Sequence, residues 1–139
     1  MNAPLREVKL HQLTHYYQEN GISCDNFNCN HILRCTELAN GRPLMNGAEA
    51  HLGTHYGEIA KILVLSLDTG GDAENINVRT EKIEAIVYET ENQHMKGTID
   101  ILFDLFSNYH LNKIDVLKHF SMTNAAKCSA ADNNADKLP

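Results

Sequence analysis

The stretch that decides the fold is an apolar run of strand length, Lys61-Ile62-Leu63-Val64-Leu65-Ser66-Leu67. It shows no alternation of polar and apolar residues, which is typical of a strand buried on both faces of a parallel sheet. The run ends abruptly in a polar, glycine-containing segment, Asp68-Thr69-Gly70-Gly71-Asp72. We therefore predict a buried strand that ends just before Asp68.

A second strand is predicted at residues 119–123, where another apolar run leads into Asn124-Ala125-Ala126-Lys127-Cys128. Between the two strands the spacing of apolar residues predicts helices. One begins with Thr80 as its N-cap and is broken at Gly97, and the next covers residues 98–109. A short helical piece follows around residues 113–117.

So long a connection between two buried strands is expected to be a right-handed crossover that joins parallel neighbours or near neighbours. The carboxyl ends of parallel strands meet at one edge of the sheet, where open α/β folds bind their ligands. We therefore expect Asp68 and Asn124 at the same edge. The predicted fold is a single α/β domain over residues 1–139, a three-layer sandwich with a parallel central sheet.

The two ends of the chain are expected to contribute less to the sheet. A first helix is predicted between Pro4 and Gly21, because proline is favoured at a helix start and glycine at its end. Residues 21–57 form a long irregular segment in this interpretation, with His51 and His55 as loop residues near the sheet edge. The polar residues 129–139 are expected to form a flexible tail.

Composition limits the classes of function. The 139 residues carry a formal net charge of -6, so the surface as a whole repels nucleic acid unless a local basic patch exists. No apolar run has the length of a membrane span, and the amino terminus lacks the apolar core of a signal peptide. We therefore expect a cytoplasmic protein that has no membrane partner.

The cysteine distribution suggests a metal or cluster site. Cys24, Cys29 and Cys35 are clustered and Cys128 is distant, so a bound group would join an amino-terminal loop to the core. A zinc site that includes His31 is an alternative, in which case the protein is a non-catalytic binding module. Four scattered buried thiols remain the third possibility.

The two predicted strand ends could carry chemistry together. A carboxylate at Asp68 can orient a water molecule, and Gly70 and Gly71 allow a ligand to approach the backbone closely. Asn124 offers a donor and an acceptor, which suits an amide-like edge such as that of a pyrimidine. The structural alternative is that Asp68 caps a turn and Asn124 satisfies backbone groups.

These residues resemble motifs of the uracil-DNA glycosylase superfamily. Residues 62–71 look like its first motif, an apolar strand followed by an acidic, glycine-containing loop, although Thr69 stands where the family commonly has proline. The more specific match is Thr123-Asn124-Ala125-Ala126-Lys127-Cys128, which resembles the Thr-Asn-x-x-Lys-Cys signature of the family's iron-sulfur branch.

The resemblance implies a cofactor and a mechanism. Cys128, Cys29 and Cys35, with Cys24 as a substitute fourth ligand, would hold a 4Fe-4S cluster. DNA that contains uracil or a damaged base would be the partner, and the target base would be flipped into a pocket. Asp68 would activate the attacking water and Asn124 would read the base. The backbone at Thr69, Gly70 and Gly71 would close over it.

The resemblance covers only the first part of the family's domain, because its last histidine-containing motif has no counterpart in these residues. We therefore expect an incomplete uracil-DNA glycosylase-like domain that is impaired or inactive alone. Two other motifs deserve comparison. Asp68-Thr69-Gly70 matches the aspartic protease triplet, but the predicted helices do not fit that all-β class. Gly70 and Gly71 could also belong to a phosphate-binding loop, which lacks its usual lysine here.

Overall fold

Three strands of the chain form a mixed sheet flanked by helices. The computed structural model describes residues 4–28, 44–66, 74–86, 93–124 and 128–130. Within these ranges the helices are α1 (Leu5–Glu19), α2 (Ile76–Glu84) and α3 (Gln93–Leu105). The strands are β1 (Leu44–Gly47), β2 (His51–Leu52), β3 (Leu63–Ser66), β4 (Ser121–Asn124) and β5 (Cys128–Ala130). Short 3-10 turns occupy Ser107–Tyr109 and Asp115–Lys118.

The central pairing of the sheet agrees with the sequence prediction. β3 and β4 are parallel neighbours, and their register runs from Leu63 opposite Ser121 to Ser66 opposite Asn124. The sheet as a whole is mixed, because β2 lies antiparallel on the other side of β4. The chain is therefore a small mixed α/β domain, and the prediction of an entirely parallel sheet is wrong for the described strands.

The two faces of this sheet differ in what they contact. Side chains alternate along each strand, so the pairing register assigns them to faces. The core-side face, defined by the hydrophobic cluster, carries His51, Val64, Ser66, Met122 and Asn124. The groove-side face, named for the groove beside α1, carries Leu52, Leu63, Leu65, Ser121 and Thr123.

The main core lies against the core-side face. It joins Met122 to the inner stripe of α3 and to the segment that leads into β4, with Ile99, Leu102, Phe106, Val116, Leu117 and Phe120 all 2% exposed or less. The spacing of Ile99, Leu102 and Phe106 had predicted an amphipathic helix here, and the burial of all three confirms it. Burial of this stripe stabilises α3.

The expectation that β3 is buried on both faces is wrong. Leu63 and Leu65 on the groove-side face are 59% and 66% exposed. Val64, one position away, is packed against the core. An unbroken apolar run looks the same whether one face or both are covered, because leucine occurs on partly exposed surfaces as well.

The predicted boundaries of the helices also need correction. Asn75, not Thr80, caps α2, since its side-chain oxygen accepts a hydrogen bond from the Val78 amide at 2.9 Å. Thr80 is buried within the helix. Gly97 lies inside α3 and does not break it. The prediction for the first helix is confirmed, because Pro4 precedes α1 and Gly21 follows it with φ +62°.

The segment predicted as irregular contains two strands. β1 pairs antiparallel with β5, which brings Gly47 opposite Cys128 and Leu44 opposite Ala130. β5 thus includes Ser129 and Ala130, the first residues of the predicted tail. His51 belongs to β2 and is fully buried, so its assignment to a loop is wrong. In the described ranges no helix is both long enough and apolar enough to cross a membrane.

Candidate functional site

The carboxyl ends of β3 and β4 bring one predicted site residue into a defined environment. Asn124 closes β4 directly opposite Ser66, and its side-chain nitrogen donates a hydrogen bond to the Ser66 hydroxyl at 3.0 Å. Asn124 is 2% exposed, so its amide is held within the protein. This hydrogen bond fixes the orientation of the amide, which is a requirement for discriminating between ligand donors and acceptors.

The other residues predicted for this edge follow β3 in the sequence. Asp68 comes two positions after Ser66, and Thr69, Gly70 and Gly71 come next. These four residues lie outside the described part of the chain. The structure therefore describes one side of the predicted Asp68–Asn124 constellation, the side formed by Asn124 and Ser66.

The predicted cysteine site is described at two positions. Cys24 is half-buried, and its backbone N–H donates to the Glu49 carboxylate at 2.8 Å. The backbone of Cys128 pairs with that of Gly47, two residues before Glu49. Cys29, Cys35 and His31 lie outside the described ranges. Among the described side chains there is no group of three or more histidine, cysteine or acidic residues that could hold a metal ion.

Glu49 is a central polar residue that sequence reasoning missed. Its two carboxylate oxygens accept hydrogen bonds from separate segments, Cys24 N–H at 2.8 Å and Ile76 N–H at the start of α2 at 3.3 Å. A carboxylate at the positive end of a helix is favourable. The guanidinium of Arg79 donates to the Glu49 backbone oxygen at 2.6 Å, and burial lowers the pKa of Arg79. Glu49 thus joins the first cysteine segment to α2.

Tyr17 anchors α1 to the same region. Its hydroxyl accepts a hydrogen bond from the Ala50 amide at 3.2 Å and is also hydrogen-bonded to the Thr123 side chain. Burial raises the pKa of this hydroxyl, so it stays protonated. The adjacent Tyr16 is 55% exposed. The sequence offered two neighbouring tyrosines and no signal for which of them faces inward.

Two buried histidines, His51 and His119, lie on the core-side face and beside it. His51 Nε2 lies 3.0 Å from the Leu117 backbone oxygen, so this nitrogen carries the proton and donates it. Its ring centroid is 4.8 Å from that of Phe120, and burial lowers the pKa of His51 to about 4. His119 stacks against His55 at 5.4 Å, and burial lowers its pKa also. The His51 ring is therefore neutral at physiological pH, which suits its place in the core.

Comparison with protein-family models, with curated proteins and with solved structures finds no match to this chain.

Proposed function

We propose that this protein is a uracil-DNA glycosylase-like protein that hydrolyses, at an impaired rate, the N-glycosidic bond of a flipped uracil or other damaged base in DNA. The observation that carries the proposal is the parallel pairing of β3 and β4 with Ser66 opposite Asn124. The two resembling motifs continue from the ends of these strands. The six-residue resemblance from Thr123 to Cys128 gives additional support.

In this proposal each residue at the strand ends has one role. Asp68 activates the water that attacks the sugar carbon, and the backbone at Thr69, Gly70 and Gly71 covers the base. Asn124 reads the base through its amide, whose orientation the hydrogen bond to Ser66 supports. Because Asn124 is 2% exposed, a base reaches it only if the groups that cover it move apart.

The experiment is the release of uracil from single-stranded DNA by the full chain. Low ionic strength is needed because the net charge of -6 opposes binding to a polyanion. Protein in excess over DNA allows slow release to be measured. Asp68→Asn should lower the rate by about 100-fold or more, the typical contribution of a general base. Asp72→Asn, which changes the same charge nearby, should not lower it.

Equal release by the wild type and Asp68→Asn would remove Asp68 from its role. Absence of uracil release by the wild-type chain would contradict hydrolysis as its function and favour a non-catalytic role. The comparison with Asp72→Asn separates the loss of a catalytic carboxylate from a general change in DNA affinity.

A cysteine-held group is the second part of the proposal. The backbone pairing of Cys128 with Gly47, and the hydrogen bond from Cys24 N–H to Glu49, support a site that draws on both ends of the chain. We propose that Cys24, Cys29, Cys35 and Cys128 hold a 4Fe-4S cluster. When bound, the cluster would cross-link the amino-terminal segment to β5. The catalytic residues proposed above do not depend on it for any step.

The same cysteines favour one alternative function, a non-catalytic zinc-binding or iron-sulfur-binding module. Anaerobically purified protein that is brown and contains iron and sulfide would support the cluster, and Cys128→Ser should lose that iron. Colourless protein with stoichiometric zinc would contradict the cluster and support the zinc module. Ser129→Ala is the matched control and should leave the metal content unchanged.

A further inference from the structure

The groove-side face of the sheet and α1 border a half-open cavity of about 500 Å³ that none of the roles above uses. Its apolar lining comes from three separate parts of the fold, with Leu13 on α1, Ile22 after it, and Leu52 and Leu63 on the sheet. This volume falls within the range of about 300–1,000 Å³ typical of small-molecule sites, which are mostly apolar with a few polar groups.

The polar groups of the cavity suggest which ligand it takes. Lys9 is the only charged residue among the described residues that line it. Its ammonium group donates one hydrogen bond to the Gln12 side chain at 3.1 Å, which leaves two of its three N–H donors for a ligand. The aromatic residues Tyr16 and Tyr56 also contribute to the lining. The Tyr17 hydroxyl and the Ser121 hydroxyl already bond to protein groups, the Ala50 amide and the His51 carbonyl respectively. The charge available to a ligand is therefore a single positive one, at Lys9.

We propose that this cavity binds a small amphiphile that places a carboxylate beside Lys9 and an apolar chain over Leu13, Leu52 and Leu63. A carboxylate matches the one ammonium group, whereas an uncharged ligand would desolvate Lys9 without pairing it. The apolar chain removes from water the exposed side of Leu63, a residue that is 59% exposed.

The test is calorimetric titration of the full chain with dodecanoate, below the concentration at which it forms micelles. Two compounds with the same apolar chain serve as comparisons: dodecanol, which is uncharged, and dodecyltrimethylammonium, which is positively charged. We expect saturable one-to-one binding of dodecanoate and weaker binding of the other two. Lys9→Gln should weaken dodecanoate binding about threefold to fivefold, the value of a partly exposed ion pair, and leave dodecanol binding unchanged.

Leu63→Gln should weaken the binding of dodecanoate and dodecanol alike, by about tenfold, since both lose the same apolar contact. Leu105→Gln is the matched control, because Leu105 is 60% exposed on α3, outside the cavity lining. Lys96→Gln, also exposed on α3, is the control for charge. Both controls should bind dodecanoate as the wild type does. Lys9 and Leu63 are each at least partly exposed, so both variants are expected to fold.

Three results would overturn the proposal. The first is an absence of saturable dodecanoate binding by the wild type, and the second is equal or tighter binding of dodecyltrimethylammonium. The third is an equal loss of binding in Leu105→Gln and Leu63→Gln, which would show that binding occurs elsewhere. Sedimentation of the protein alone tests whether a second copy of the chain occupies this face instead. Self-association that disappears in Leu63→Gln would assign the face to a second copy and contradict a small-molecule site.

Discussion

The two faces of the central strand pair are built from similar residues and have different surroundings. On the core-side face Met122 is 5% exposed and packs with α3, whereas on the groove-side face Leu63 is 59% exposed. Both residues are apolar, and they lie on adjacent strands one position out of register. The difference shows that the environment of a strand residue depends on which helix covers its face, and that composition alone does not determine it.

The largest effect should come from removing core-side packing. Met122→Ala should lower the free energy of unfolding by about 2–5 kcal/mol, because it leaves a cavity in a packed core. Leu63→Ala on the other face should cost less than about 1 kcal/mol, since most of that side chain is already in water. Denaturant unfolding of both variants measures the difference. Equal losses would show that the groove-side face is packed in solution.

Acid should weaken the core-side face through His51. Its pKa is about 4 in the fold and 6.5 in a model peptide, so the unfolded chain binds more protons between these pH values. The contribution of neutral His51 to the free energy of unfolding is therefore complete above about pH 6.5. As pH falls toward 4, this contribution decreases by about 3 kcal/mol. Unfolding measured from pH 7.5 to 4 should show this decline.

His51→Gln provides the matched control for the acid effect. Its side-chain amide can still donate to the Leu117 oxygen but does not titrate. The variant should show a smaller decline over the same pH range, with the remainder due to His119 and other groups. An unchanged pH dependence in His51→Gln would exclude His51 as the source.

A smaller effect is expected at Tyr17, a buried residue that anchors α1 beside the groove-side face. Tyr17→Phe removes the hydroxyl that accepts from the Ala50 amide and leaves that buried N–H without its acceptor. The expected loss is about 1–3 kcal/mol. Tyr16→Phe, at a residue 55% exposed, should change stability by less than about 0.5 kcal/mol. If the two variants unfold alike, α1 is not held by this hydrogen bond.

The smallest effect should be a gain in stability at a site that touches neither face. Gly97 lies within α3, and a Cβ at this position would meet no atom within 4 Å. Gly97→Ala should therefore stabilise the fold by about 0.5–1 kcal/mol through helix propensity. Gly57→Ala is the contrasting control, because Gly57 has φ +84° and its Cβ would collide with Leu5. A loss in Gly97→Ala would contradict an uninterrupted α3.

The parallel β3–β4 pair could be predicted from the length and helical pattern of the segment that connects its two strands. A long helical connection between two apolar runs favours parallel strands, because parallel neighbours need such a crossover. Asn124 was placed at a strand end by the same argument. The short strands β1, β2 and β5 could not be found this way, because two to four residues carry no measurable alternation.

The remaining errors arose where packing outweighed local preference. Thr80 and Asn75 are both residue types that are favoured as N-caps. Thr80 is buried on the same side of α2 as Ile76 and Ile83, so it lies inside the helix and Asn75 is the cap. Gly97 costs α3 about 1 kcal/mol, which the burial of Ile99 and Leu102 more than offsets. The role of Glu49 was not predictable, because its partners are the backbone N–H groups of Cys24 and Ile76. Both residues are distant from Glu49 in sequence, and no sequence motif links them to it.

Uracil release from single-stranded DNA can compare the two faces at the carboxyl end of the strand pair and tests the proposed glycosylase function most sharply. Asn124→Ala removes the buried amide on the core-side face, and Leu65→Ala alters the groove-side face beside Ser66, at a side chain 66% exposed. We expect release by the wild type, about a 100-fold slower rate in Asn124→Ala and an unchanged rate in Leu65→Ala, with both variants folded by circular dichroism. A wild-type rate in Asn124→Ala would exclude Asn124 as the residue that reads the base.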